Sequence, residues 1–112
     1  MSFFENLFSK KYENINGNKL DSIIKNNKNV LILDVRTPSE FKYGHISRAK
    51  NIPINELGYK INTISSYKDE EVIVYCASGM RSSTASKILS KNGFSKIYNL
   101  SRGIASYNNK LK

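Results

Sequence analysis

Residues 30–35, Val30-Leu31-Ile32-Leu33-Asp34-Val35, form an apolar run almost without polar interruption. A strand wetted on one face alternates polar and apolar side chains. A continuous run of branched ones instead predicts a strand covered on both faces, the setting of a central strand in a parallel sheet. Val72-Ile73-Val74-Tyr75 repeats the signal. Such strands need helices above and below them, and at 112 residues the chain has length for one domain around one core.

The intervening sequence supplies those helices. Gly17-Asn18 opens one whose Leu20, Ile23 and Ile24 share a face, and it stops at Asn26-Asn27-Lys28-Asn29. Thr37-Pro38-Ser39-Glu40 has the hydroxyl, proline and acid of a capping box, and Gly44 ends that short helix. Residues 49–53 are extended ahead of Pro53, and residues 55–64 form a further helix. A helix from Ser82 carries Ala85, Ile88 and Leu89 to a left-handed stop at Gly93. Residues 12–15 and 97–100 read as strands, and a last helix runs over residues 104–110. Strands alternating with helices at these lengths imply a parallel sheet with helices on both sides. Residues 1–11 are expected as a helical extension with Phe3, Phe4, Leu7 and Phe8 on one face, packed on the domain or in weak contact with a membrane or partner; residues 12–112 form the single domain.

One cysteine excludes an internal disulfide, and no stretch approaches the roughly 18 apolar residues of a membrane span. Without a secretory leader pattern, the expected compartment is the cytoplasm. The net charge of +9 is spread along the chain among many asparagines, a distribution that argues against a nucleic-acid surface and suits generic capture of small anions. No zinc-ligand spacing is present, and neither a metal nor a cofactor is expected.

The cysteine itself closes the second apolar run: Val72-Ile73-Val74-Tyr75-Cys76-Ala77-Ser78-Gly79-Met80-Arg81-Ser82. A strand, a small-residue loop and a helix start in succession aim backbone N–H groups and a helix dipole at the sulfur, which favours its thiolate. In an open parallel sheet, the carboxyl end of a strand is where a site forms.

Leu33-Asp34-Val35-Arg36-Thr37-Pro38-Ser39-Glu40-Phe41, Gly44-His45-Ile46, Ala49 with Asn51-Ile52-Pro53, and residues 76–82, followed by Gly93-Phe94, Tyr98-Asn99-Leu100 and Gly103-Ile104, together resemble a single-domain rhodanese-like sulfurtransferase. The resemblance covers about residues 12–108. It implies an α/β fold with a five-stranded parallel sheet, and a cysteine that carries a transferable sulfur. It departs from the family pattern at Ala77, where a longer polar residue is common, at Arg102 and at Tyr107; the last two are expected to affect packing near the C-terminus and not the thiolate.

A Cys76 thiolate can take the outer sulfur of thiosulfate or of a persulfide and pass it to a thiol or to cyanide. A cysteine desulfurase or an acceptor protein fits as a partner. The N–H groups of Ala77, Ser78, Gly79, Met80 and Arg81 are expected to cradle the anionic sulfur, with Gly79 required either for a positive φ or for close approach to substrate. Arg81 faces an anionic donor, or braces the loop against an acid such as Asp34. Ser82, Asp34 and Arg36 support the loop, and the Gly-His-Ile piece places His45 in a structural turn. A related phosphatase or arsenate reductase would have five residues between cysteine and arginine; here there are four. A sulfur-relay or regulatory binding module is the remaining alternative.

Overall fold

The computed structural model describes residues 11–108 and Leu111. The expected helix over residues 1–11 therefore lies outside the described residues except for Lys11, and so do Asn109 and Lys110 of the expected last helix. In chain order the elements are β1 (Glu13–Ile15), α1 (Gly17–Asn26), β2 (Leu31–Asp34), α2 (Pro38–Tyr43), β3 (Lys50–Asn51), α3 (Ile54–Lys60) running into a 3₁₀ segment (Ile61–Tyr67), β4 (Glu71–Tyr75), α4 (Met80–Lys91), β5 (Lys96–Leu100) and a 3₁₀ turn (Ile104–Ser106). The five strands form one sheet in the order β1-β5-β4-β2-β3, and every pairing is parallel.

Both apolar runs behave as strands buried on two faces. Leu31, Leu33, Val72, Val74 and Cys76 point into one core with Leu57, Ile64, Ala85 and Leu89 of the α3 and α4 side. Val30, Ile32, Ile73 and Tyr75 alternate to the opposite face and meet Leu20 and Ile23 of α1. The period of two thus assigns Cys76 to the face that α4 covers. No helix among the described residues is long and apolar enough to cross a membrane.

The differences from expectation lie at element ends. The first helix opens at Gly17 as expected, and its N-cap is Asn16, whose Oδ1 accepts the Lys19 N–H at 2.9 Å. Residues 55–64 do not hold one helix: α-geometry gives way after Lys60, and Ile64 (φ −119°, ψ 16°) breaks the 3₁₀ segment while its side chain is buried in the core. Among the described residues the last helix is a 3₁₀ turn over Ile104–Ser106, ended by extended backbone at Tyr107 (φ −85°, ψ 124°), and its first N–H groups, of Ile104 and Ala105, bond to Cys76 O and Ala77 O at 2.9 and 3.3 Å. The capping box is as expected: Glu40 N–H bonds to Thr37 Oγ1, and Thr37 N–H to Glu40 Oε1.

Candidate active site

β4 is the central strand, flanked by β5 and β2. From its carboxyl end the chain passes through α4 to β5 on one side, whereas from β2 it passes through α2 to β3 on the other. The crevice between the two diverging connections opens where Cys76 ends β4. A separate cavity of about 510 Å³, lined by Lys28, Leu31, Arg48, Lys50, Tyr67 and Glu70, sits at the amino end of β2, away from the cysteine.

The loop after Cys76 is shaped by its backbone. Gly79 has φ +113°, and a Cβ there would run into the carbonyl oxygen of Ser101. Gly103, at φ +68°, has the Ala77 carbonyl and Ser78 nitrogen where its own Cβ would stand. These two glycines let the chain after β5 press against the cysteine loop. The 3₁₀ turn then draws the Cys76 and Ala77 carbonyls outward by hydrogen bonds. In a trans peptide the N–H points opposite to the C=O, so the Ala77 and Ser78 amides turn the other way, and the Ser78 N–H is one of the groups that favour the Cys76 thiolate. Gly103, between the Arg102 and Tyr107 positions expected to affect only C-terminal packing, therefore lies directly against the loop.

The sulfur collects what this turn presents. Gly79 N–H reaches Cys76 Sγ at 3.1 Å and Ser82 N–H reaches it at 3.4 Å. The thiol lies 3.5 Å from Ser82 Oγ, whose own proton goes to Gly79 O at 3.2 Å. α4 starts at Met80, two residues earlier than the serine suggested, because Gly79 caps it by conformation and without a side-chain bond. Cys76 is 1% exposed, and burial alone pushes its thiol up. The bonds from the Ser82 hydroxyl and from the Ser82, Gly79 and Ser78 N–H groups outweigh burial and leave the pKa below that of an ordinary cysteine. On ionisation the Ser82 hydroxyl is free to turn from Gly79 O to the sulfur.

That arrangement sets a pH dependence. Alkylation of Cys76 by iodoacetamide is expected to reach its plateau at lower pH than alkylation of a free cysteine, since only the thiolate reacts. In Ser82→Ala the profile should move up in pH and the rate at pH 7 fall about three- to tenfold, the loss of one hydrogen bond to a charged acceptor. An unmoved profile would remove Ser82 from the list of groups that stabilise the thiolate.

Asp34 and Arg36 form a buried pair at the end of β2. Arg36 Nε lies 3.1 Å from both carboxylate oxygens and Nη2 lies 2.7 Å from Oδ2, and Nη2 also bonds to Gly44 O. The guanidinium carbon is 5.5 Å from the ring centroid of Tyr75, the residue before Cys76, and the Tyr75 hydroxyl accepts the Ile46 N–H at 3.0 Å. His45 stacks on Phe41 with ring centroids 3.8 Å apart and donates Nδ1–H to Phe41 O, in keeping with a structural turn.

Arg81 does not pair with Asp34, which Arg36 occupies. It reaches 41 residues back to Glu40 on α2, with Nη1 to Oε1 at 2.8 Å and Nη2 to Oε2 at 3.0 Å. The Arg81 hydrogen bonds, stronger here than the cost of burial, hold the Glu40 carboxyl down at about 2. Met80 projects outward, 82% exposed, at the rim of the loop. Glu40, Tyr75 and Gly103 were absent from the expected site. A capping box gave Glu40 a complete local role, and only the need of Arg81 for a counter-charge pointed further.

Comparison with known proteins places this architecture. The Rhodanese-like domain family matches residues 17–110. The protein YqhL of Bacillus subtilis is 42% identical over 81 residues, covering 72% of this chain and 63% of that protein. A sulfurtransferase of Allochromatium vinosum is 32% identical over 93 residues, covering 83% of this chain and 85% of that one. A solved structure of a rhodanese-related protein from Thermoplasma volcanium superposes with a TM-score of 0.75 at 38% identity, over 86% of this chain and 90% of that one. The chain thus spans less than two thirds of YqhL, and it spans 27% of a tRNA uridine(34) hydroxylase of Buchnera aphidicola that is 34% identical to it over 85 residues. With its parallel five-stranded sheet and its cysteine loop at the end of the central strand, this chain belongs to the rhodanese-like domain family.

Proposed function

We propose that the chain is a sulfurtransferase that carries sulfane sulfur as a persulfide on Cys76. The observation that carries this reading is the pair of N–H groups, Gly79 and Ser82, directed at a buried Sγ at the start of α4. The thiolate attacks the outer sulfur of a donor. With thiosulfate, the S–S bond breaks, its electron pair leaves with sulfite, and Cys76–S–S⁻ remains. An acceptor thiolate or cyanide then takes the outer sulfur and returns the thiolate. Resting and loaded states carry the same single negative charge, so one set of fixed donors serves both without rearrangement.

Ala77, Ser78, Gly79, Met80 and Arg81 form the wall against which the outer sulfur rests, and Asp34, Arg36 and Ser82 hold that wall in place. Four residues separate Cys76 from Arg81, a short ring suited to one sulfur atom. Because Cys76 is the chain's only cysteine, the persulfide has no internal thiol to resolve it and the acceptor must come from outside. A cysteine desulfurase or a protein thiol fits as donor or acceptor, in the cytoplasm.

Intact mass spectrometry after incubation with thiosulfate tests the reading. The expected result is a gain of one sulfur, about 32 Da, removed by cyanide or reductant and absent in Cys76→Ser. No mass gain with either thiosulfate or a small-molecule persulfide would overturn it, and release of phosphate from an aryl phosphate would put a phosphatase in its place.

A further inference from the structure

An arginine beside a nucleophilic loop is normally free to meet an anionic substrate, but here its charge is already answered. Both terminal nitrogens of Arg81 are engaged by both oxygens of Glu40. The carboxylate is also held from its own side, since Oε1 accepts the Thr37 N–H at 3.0 Å and the Thr37 hydroxyl at 3.1 Å. A carboxylate tied into a capping box cannot swing away cheaply when an anion approaches. The pair links α2, which follows β2, to the first turn of α4, which follows β4 and Cys76, and Arg81 is near enough to interact electrostatically with the Cys76 sulfur. Both side chains are about one third exposed, at 36% and 34%, so the pair stands at the entrance and not in the core.

We propose that Glu40 is a specificity-determining residue of this site: as a fixed counter-anion it occupies Arg81 and selects against small oxyanionic sulfur donors such as thiosulfate, in favour of donors whose sulfane sulfur arrives on an uncharged carrier. The choice of substrate rests on the persulfide chemistry above. The charge gate itself is a property of any reagent that approaches the Cys76 thiolate. Thiosulfate must either displace the Glu40 carboxylate from the guanidinium or dock beside it against its field. Glu40→Gln keeps an oxygen for both Thr37 bonds, so the cap survives while the negative charge goes.

The test compares two alkylating reagents of nearly equal size, the anionic iodoacetate and the neutral iodoacetamide, whose intrinsic difference in reactivity is taken from a small thiol. Both attack the same thiolate, so the ratio of their rates cancels any change in the ionised fraction. At physiological salt, wild type is expected to show a ratio within about threefold of that of N-acetylcysteinamide, because a neutralised arginine attracts no anion. Glu40→Gln should raise the ratio about three- to tenfold, the reach of one partly exposed charge pair. In an Arg81→Ala background Glu40 stands as an unpaired anion, so the same change should still raise the ratio, but by no more than about half the factor seen with Arg81 present, and the difference between the two gains is the part owed to the released guanidinium. In single turnover, the rate of persulfide formation from thiosulfate, a dianion, divided by the iodoacetamide rate of the same variant, should rise in Glu40→Gln by at least that factor. A wild-type ratio more than tenfold above the small thiol, an unchanged ratio in Glu40→Gln, or a gain of the same size with and without Arg81 would each overturn the proposal. Failure of thiosulfate to load sulfur at all, with the alkylation ratios as expected, would overturn the sulfurtransferase reading and leave the charge gate standing.

Discussion

Asp34→Ala is expected to destabilise the fold by about 3–5 kcal/mol, because it strands the Arg36 guanidinium in a dry environment. The Asp34 side chain is fully buried and that of Arg36 is 7% exposed. Three contacts from the guanidinium end on the carboxylate, and once it is removed the Gly44 carbonyl and the uncharged Tyr75 side chain offer no counter-charge. The Arg36 N–H would also lose its bond to Oδ1. Urea denaturation measures the loss. The double variant Asp34→Ala/Arg36→Met separates an unpaired charge from a missing contact: removing both charges should recover most of the stability. Equal losses in single and double variants would mean that the pair matters through its shape alone. The consequence for the site follows from connectivity, since the same cluster holds the Gly44-His45-Ile46 turn against Tyr75, one residue ahead of Cys76.

Much of this was legible before any coordinate. The two continuous apolar runs fix strands buried on both sides, and that alone implies a helix-covered parallel sheet. Thr37 and Glu40 announce a capping box because its chemistry is local. Cys76, at the end of one run and before Gly79, marks the site for the same reason. Long-range pairing has no such signature. Any of the chain's nine acids could brace Arg81, and the pairing with Glu40 in place of the expected Asp34 depends on how α2 lies against the cysteine loop, which spacing does not encode. Glu40 was also explained already as a capping residue, so nothing in the local pattern asked for a second partner. The start of α4 was misplaced because its cap is a backbone conformation at Gly79, whereas Ser82 offers the side chain that ordinarily marks a cap. Gly103 escaped notice because its neighbour in space, the Ala77–Ser78 peptide, lies some two dozen residues earlier.

Gly79→Ala joins these threads and is expected to damage stability and chemistry together. At φ +113° any L side chain is strained, and here the new Cβ also meets the Ser101 carbonyl, a backbone atom that cannot rotate out of the way. The chain has two escapes. It can push the residues after β5 outward, which loosens the Gly103–Ala105 buttress and its bonds to Cys76 O and Ala77 O. Alternatively it can turn the Gly79 peptide, which withdraws the N–H from Sγ and undoes the cap of α4. Either route should cost about 3 kcal/mol or more. The second should also slow iodoacetamide labelling of Cys76 at pH 7 roughly tenfold, since a hydrogen bond to a thiolate is lost. Gly58→Ala is the matched control: nothing lies within 4 Å of a Cβ at that position in α3, so it should be neutral or slightly stabilising. If Gly79→Ala melted like Gly58→Ala and kept the labelling profile of wild type, the left-handed glycine would not be what holds the thiolate cradle, and the N–H at 3.1 Å would have to be supplied by a loop able to form without it.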